Sequence, residues 1–178
     1  MHIMLDIESL GTGHDAVITA IGACMFDPGE TGVSKDNVFY TRINPDQQGR
    51  VIDASTVVWW LRQSDAARSM YEDIGKAPLL PAVLMSFGAW CAGTRIDGMW
   101  GNGSDFDNAI LGHAYKQCEL PLPWSFGKNR CFRTVKNMPL PKEYIAPLRA
   151  GTHHNALDDA IYQARCLQAI CEATGIKF

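Results

Sequence analysis

The 178-residue chain has no long apolar run, so no segment reads as a membrane span. Its start, Met1-His-Ile-Met-Leu-Asp6, reads as a strand and lacks the basic flank and cleavage site of a signal peptide. The six cysteines (Cys24, Cys91, Cys118, Cys131, Cys166, Cys171) include no Cys-x-x-Cys pair. That argues against a zinc site or a disulfide framework and for reduced thiols in a cytoplasm. No internal repeat, low-complexity tract or long linker divides the chain, so 1–178 reads as one domain. An excess of positive charge is also missing. The net charge of −3 weighs against a chain that holds nucleic acid by bulk charge alone.

The distribution of charge says more than its sum. From Lys116 to Arg149 there are seven basic residues (Lys116, Lys128, Arg130, Arg133, Lys136, Lys142, Arg149) against Glu119 and Glu143. Trp124, Phe126, Phe132 and Tyr144 lie among them. Cations interleaved with aromatic faces suit a single nucleic acid strand, and they equally suit a solvated loop with core aromatics.

Apolar content of 47% with 20% charge supports a sizeable core. Ile3–Ile7, Val17–Phe26 and Val38–Ile43 read as strands joined closely enough for an antiparallel meander. A helix is expected from Ser55 through Trp59 and Trp60 to Met70, and another over Leu80–Trp90 with Pro81 in its first turn. Met99-Trp100 reads as a short strand, after which Ser104 would cap a helix to about Cys118. Cys131–Val135 reads as a fifth strand. The last helix is expected from Asn155 to Ala173, with Gly175 as its stop. A meander followed by strand–helix alternation implies an α/β fold: a mixed sheet with helices packed on it.

Asp6 and Glu8 are two apart on the first strand, so both carboxylates project to one side. Two buried acids side by side repel each other, and Mg²⁺ or Mn²⁺ would relieve both penalties. A solvated strand end explains the pair equally well. Asp107 falls in the first turn after Gly101-Asn102-Gly103, where Ser104-x-x-Asp107 also reads as a capping box. Asp105 is a rival acid in the same turn. His154 and Asp159 flank the start of the last helix, with His153 and Asp158 as the rival pair one residue earlier. An imidazole there titrates near neutrality and suits proton transfer. Adjacent Trp59 and Trp60 cannot both face one core, so one is expected in the core and the other at a nucleotide pocket or a partner.

Asp6-Ile-Glu8, Phe106-Asp107 and His154-Asn-Ala-Leu-Asp-Asp159 resemble the three motifs of the DEDDh 3′–5′ exonucleases, whose fold is RNase H-like. Asp6-Ile-Glu-Ser-Leu-Gly11, Ala20-Ile-Gly22, Trp59-Trp-Leu61, Trp100-Gly-Asn102 and Phe106-Asp-Asn108 carry a closer likeness to small phage and prophage exonucleases of the exonuclease VIII-like group. The likeness spans nearly the whole chain, with Ser9 where relatives often carry Thr. It selects Asp107 over Asp105, and His154 with Asp159 over the rival pair. Asn155 stands where the sister class has Tyr, which indicates the histidine class.

The resemblance implies a five-stranded RNase H-like sheet flanked by helices, and phosphodiester hydrolysis with two Mg²⁺ or Mn²⁺. Asp6, Glu8 and Asp159 would hold one ion. Asp6, with Asp107 mainly through water, would hold another roughly 4 Å away. His154 would deprotonate the attacking water, and a nucleoside 5′-monophosphate would leave. Ser9, Leu10, Asn102, Phe106 and Trp60 are the expected substrate contacts. Single-stranded DNA is the expected substrate, with RNA, or a non-catalytic nucleic acid binder on the same fold, as alternatives. A bacterial or phage-infected cytoplasm and a homodimer, with Trp59 or Trp60 as the contact, complete the expectation.

Overall fold

The computed structural model describes residues 1–103 and 105–178. Strands β1 (His2–Ser9), β2 (Ile18–Phe26) and β3 (Val38–Arg42) come first. Helices α1 (Ala54–Leu61), α2 (Asp65–Arg68) and α3 (Leu80–Cys91) follow. Then come β4 (Gly98–Gly101), α4 (Asp107–Gln117), β5 (Asn129–Cys131), α5 (Phe132–Lys136) and α6 (Ala156–Thr174). The sheet order is β3-β2-β1-β4-β5. β1–β2 and β2–β3 are antiparallel, and β4 and β5 join parallel. This is the mixed sheet expected from the sequence pattern, with the five strands of the RNase H-like fold that the resemblance implies. No single helix among the described residues is long and apolar enough to cross a membrane.

Alternation along β1 explains the layering. Ile3, Leu5 and Ile7 pack with Leu84 and Phe87 of α3 and Leu111 of α4 on one face. Met4 packs with Ala160, Ala164 and Leu167 of α6 on the other. Asp6 and Glu8 share Met4's parity, so both project toward α6. Asn155 caps α6 by accepting from the Leu157 and Asp158 N–H groups, and Gly175 ends it in the left-handed region at φ 70°.

Three elements depart from expectation. The helix expected over 55–70 is broken, because Ser64 Oγ accepts from the Ala67 N–H at 3.2 Å and starts α2 anew. The fifth strand lies two residues early, and 132–136 is helical. Phe132 and Val135 are both buried three residues apart, a helical spacing rather than an alternating one. Helix α4 begins at Asp107; Ser104, its expected cap, lies outside the described residues.

Gly22 on β2 pairs opposite Asp6 and lets α6 approach the sheet. A Cβ there would lie 2.2 Å from the Ala156 carbonyl carbon and the Leu157 nitrogen. Both are backbone atoms, so the helix itself would have to move. Gly22→Ala is therefore expected to cost about 1–3 kcal/mol, as overpacking does. It should also lower activity by displacing the start of α6. Thermal melting and an activity assay on one sample check this; an unchanged melting point would show that α6 gives way freely.

Candidate active site

A cavity of about 760 Å³ opens over the end of β1, between α1, the start of α6 and α5. Asp6, Glu8, Asp107, His154 and Asp159 all line it, and Ser9, Asn102, Phe106 and Trp60 do as well. Leu10 does not. Its side chain packs with Trp60, its N–H donates to the Val17 carbonyl at 2.9 Å, and its carbonyl accepts from the Asp53 N–H at 2.7 Å. Its backbone is thus committed within the fold and is not offered to a ligand. Thr12, Ser55 and Trp59 line that side instead.

The structure separates the rival acids. Asp107 is 2% exposed, whereas Asp105 is exposed and off the cavity. Asp107 Oδ1 accepts from the Ile7 N–H at 3.1 Å and Oδ2 from the Asn102 N–H at 2.8 Å. Asp159 is buried and faces the cavity, while Asp158 Oδ2 accepts from the Thr152 N–H at 2.7 Å and closes the preceding turn.

Asp6, Glu8 and Asp159 each offer an oxygen within 4.8 Å of the others. Among the described residues Asp107 joins no such group of three. Burial, together with the charges of Asp107, Glu8 and Asp159, pushes the Asp6 carboxyl well above the usual range. Burial, and then Asp159 and Asp107, push Glu8 up to about 8. Burial raises Asp107 to about 6 against the pull of its two N–H donors. Glu8 Oε1 is buried with no hydrogen-bond partner. Crowded carboxylates with an orphaned oxygen form an all-oxygen donor set that fits a hard divalent cation.

These shifts have a measurable consequence. Glu8 rises from its ordinary 4.5 to about 8, so the metal-free folded chain retains a proton that the unfolded chain has released between those values. The resulting stability is full below pH 4.5 and is lost as pH rises through 8. Metal-free protein should therefore melt progressively lower from pH 5 to pH 8, by up to about 1.4 kcal/mol per pH unit for each such carboxylate. Added Mg²⁺ should flatten the slope. Melting curves in EDTA that are level across this range would show that the fold does not hold these carboxyls protonated.

His154 holds a left-handed backbone at φ 65°, and its N–H donates to Asp159 Oδ2 at 3.0 Å. Such a conformation in a non-glycine residue is strained and persists where surrounding contacts impose it. Its ring packs edge-on against Trp59 at 4.8 Å and lies 3.9 Å from His153, centroid to centroid. Burial, with the charge of His153, lowers the His154 pKa below its usual value.

The tryptophan pair divides as expected, one buried and one exposed, and both rings line the cavity. Trp60, the expected substrate contact, is 4% exposed and its Nε1 donates to the Ser9 carbonyl at 2.9 Å. Trp59 is 42% exposed and lines the cavity. Two site residues escaped the sequence reading. Gln163 Nε2 donates to Asp6 Oδ1 at 2.7 Å; it lies one helical turn past Asp159, a spacing that could have found it. Arg149 pairs with Asp159 and lies over the Tyr162 ring at 4.1 Å. No local pattern marks it among the other cations of its stretch.

Comparison with solved structures places the fold. The nuclease domain of 3′hExo, a DEDDh family member, bound to rAMP, superposes with a TM-score of 0.66 at 14% identity, covering 97% of this chain and 92% of that one. S. pombe Pop2p in its Mg²⁺- and Mn²⁺-bound form gives 0.67 at 13%, covering 97% and 83%. Product-bound exonuclease I gives 0.69 at 11%, covering 98% of this chain but 44% of the other. No curated protein matches the sequence. The family model and the shared fold define an enzyme, a 3′–5′ exonuclease with an RNase H-like fold. The chain belongs to the family described as the 3′-5′ exoribonuclease Rv2179c-like domain, whose model matches residues 1–171.

Proposed function

We propose that this enzyme removes nucleoside 5′-monophosphates one at a time from the 3′ end of single-stranded RNA, in a reducing cytoplasm. The observation that carries the reading is the buried acid cluster with the orphaned Glu8 Oε1 at one end of the cavity. The family's description as exoribonucleases supports RNA over the DNA expected from sequence. The free cysteines support the compartment.

Asp6, Glu8 and Asp159, with Asp107 beside them, would hold two divalent cations. When bound, these supply charge neutralisation at the scissile phosphate and acidity for the attacking water. The chain's own groups do the rest. Gln163 fixes the orientation of Asp6 through their hydrogen bond. Trp60 holds the Ser9 carbonyl, which sets the backbone where β1 leaves the sheet. His154 stays neutral at neutral pH because its pKa is lowered, so its imidazole is ready to accept the water's proton. Trp59 packs edge-on to that ring and limits its rotation.

His154→Ala should lower kcat about 10²-fold or more while Mg²⁺ binding survives. His153→Ala should cost less than tenfold. Metal titration and steady-state rates on both variants check this; a larger loss from His153→Ala would move the base by one residue. Substrate choice is tested with RNA and DNA strands of one sequence. The reading expects the higher kcat/KM on RNA, and an equal or higher value on DNA would overturn that choice.

A further inference from the structure

The cavity is electrically lopsided about its acids. On the α1 side it is lined by Thr12, Ser55, Thr56 and Trp59, and no lysine or arginine among the described residues reaches it. On the α5 side it is lined by Arg133 and Lys136, with Tyr144. Both cations are exposed, and neither makes an ion pair or a side-chain hydrogen bond among the described residues. Arg149, the third cation lining the cavity, is already paired with Asp159. A Cβ on Gly103 would lie 3.5 Å from Arg133 Nη2 and 3.3 Å from Phe106 Cβ, so the guanidinium sits against the β4–α4 turn beside Phe106. Helix α5 follows β5, two strands from β1, whereas α1 packs against β2 through Trp60 and Ala20.

The chemistry of a strand's 3′ end has the same polarity. The terminal nucleoside carries no phosphate beyond the scissile one, whereas every nucleotide upstream adds a negative charge. An uncharged pocket suits the first and a cationic wall suits the second. We propose that Arg133 and Lys136 form the upstream phosphate subsite, so that the 3′-terminal nucleoside enters on the α1 side and the rest of the strand leaves across α5. The sequence region Lys116–Arg149 then acts through these two cations, because Lys116, Lys128, Arg130 and Lys142 do not line the cavity. The subsite makes the enzyme one for oligomers rather than for isolated phosphodiesters. This rests on the 3′–5′ exonuclease reading.

The test compares a 5′-labelled RNA decamer with the 4-nitrophenyl ester of uridine 5′-monophosphate, which has a scissile diester and no upstream phosphate. Both are assayed with Mn²⁺ for wild type, Arg133→Gln, Lys136→Gln, the double variant and Lys35→Gln. Lys35 is exposed on the β2–β3 connection, so its variant repeats the charge change away from the cavity. The decamer-to-ester ratio of kcat/KM is expected to fall about fivefold in each single variant and 20-fold or more in the double. The slope of log(kcat/KM) against log salt should lose about 0.7 per variant, the value for one contact to a single strand. Lys35→Gln should keep the wild-type ratio and slope. If folded variants at 133 and 136 also keep both, the subsite is elsewhere. If the ester falls in step with the decamer, these cations act on the scissile phosphate, and the proposal fails in that form. Wild type inert on both substrates would sink the exonuclease reading itself, and this inference with it.

Discussion

Asp6→Asn is expected to lower hydrolysis by roughly three orders of magnitude, each 1.36 kcal/mol of lost transition-state stabilisation being tenfold. The same change should raise the melting temperature of the metal-free protein. Both follow from one arrangement. Burial first, and then the charges of Asp107, Glu8 and Asp159, hold the Asp6 pKa high. Asparagine is neutral there without taking up a proton, so folding no longer carries the cost of neutralising a carboxylate at this position. It can keep the hydrogen bond from Gln163, because its Oδ1 still accepts at the position where the Asp6 oxygen does. The relief should be on the order of 1 kcal/mol or more, since each pH unit by which folding raises a carboxyl pKa costs about 1.4 kcal/mol at neutral pH. At this chain length that is about 2–4 °C per kcal/mol. Mg²⁺ should stabilise wild type by mass action and the variant far less. A variant that melts lower than wild type in EDTA would show that burial and neighbouring charge do not penalise the Asp6 carboxylate, and the cation-site argument would lose its main support.

Asp107→Ala should also cost roughly 10³-fold in rate, by the same conversion of energy to rate, while Asp105→Ala leaves most of it. The two acids are two residues apart in one turn and were equivalent candidates by local pattern. Structure separates them by burial: Asp107 is inside, receiving N–H donors from Ile7 and Asn102, and Asp105 is in solvent. Those donors also tie β1 to the β4–α4 turn, so Asp107→Ala should lower stability as well as rate. Asp107→Asn separates the two effects, since it keeps an acceptor while removing the charge. Circular dichroism with rate measurements on the three variants decides the matter. Loss of activity in Asp105→Ala with Asp107→Asn active would place the middle acid wrongly.

Much of this fold and site is legible in the sequence. β1 and β2 are nearly unbroken apolar runs, and strands buried on both faces leave that signature. Asp6 and Glu8 stand out because they interrupt β1 at one parity. The final helix announces itself by alanines at helical spacing between an Asn cap and a Gly stop. The losses have physical causes. Ser64 caps a second helix inside a stretch that is helix-forming on both sides, so the break at Arg62–Gln63 is a capping event hidden within a continuous pattern. β5 is three residues long and runs straight into α5, too short for alternation to show. Leu10 follows the motif acids directly in sequence, yet β1 shifts register between Glu8 and Ser9, and the chain turns its Leu10 groups into the fold. Arg149 and Trp59 reach the site by tertiary placement alone, and Gln163 by a helical turn that the motif spacing did not include.

The most direct measurement of the central claim uses one RNA strand labelled at its 5′ end in one sample and at its 3′ end in another, with Mg²⁺ or EDTA. The account predicts a descending ladder from the first and immediate release of a labelled nucleoside 5′-monophosphate from the second. Both should stop in EDTA and in Asp6→Asn. Internal fragments, shortening from the 5′ end, or cleavage that survives EDTA and Asp6→Asn would contradict it.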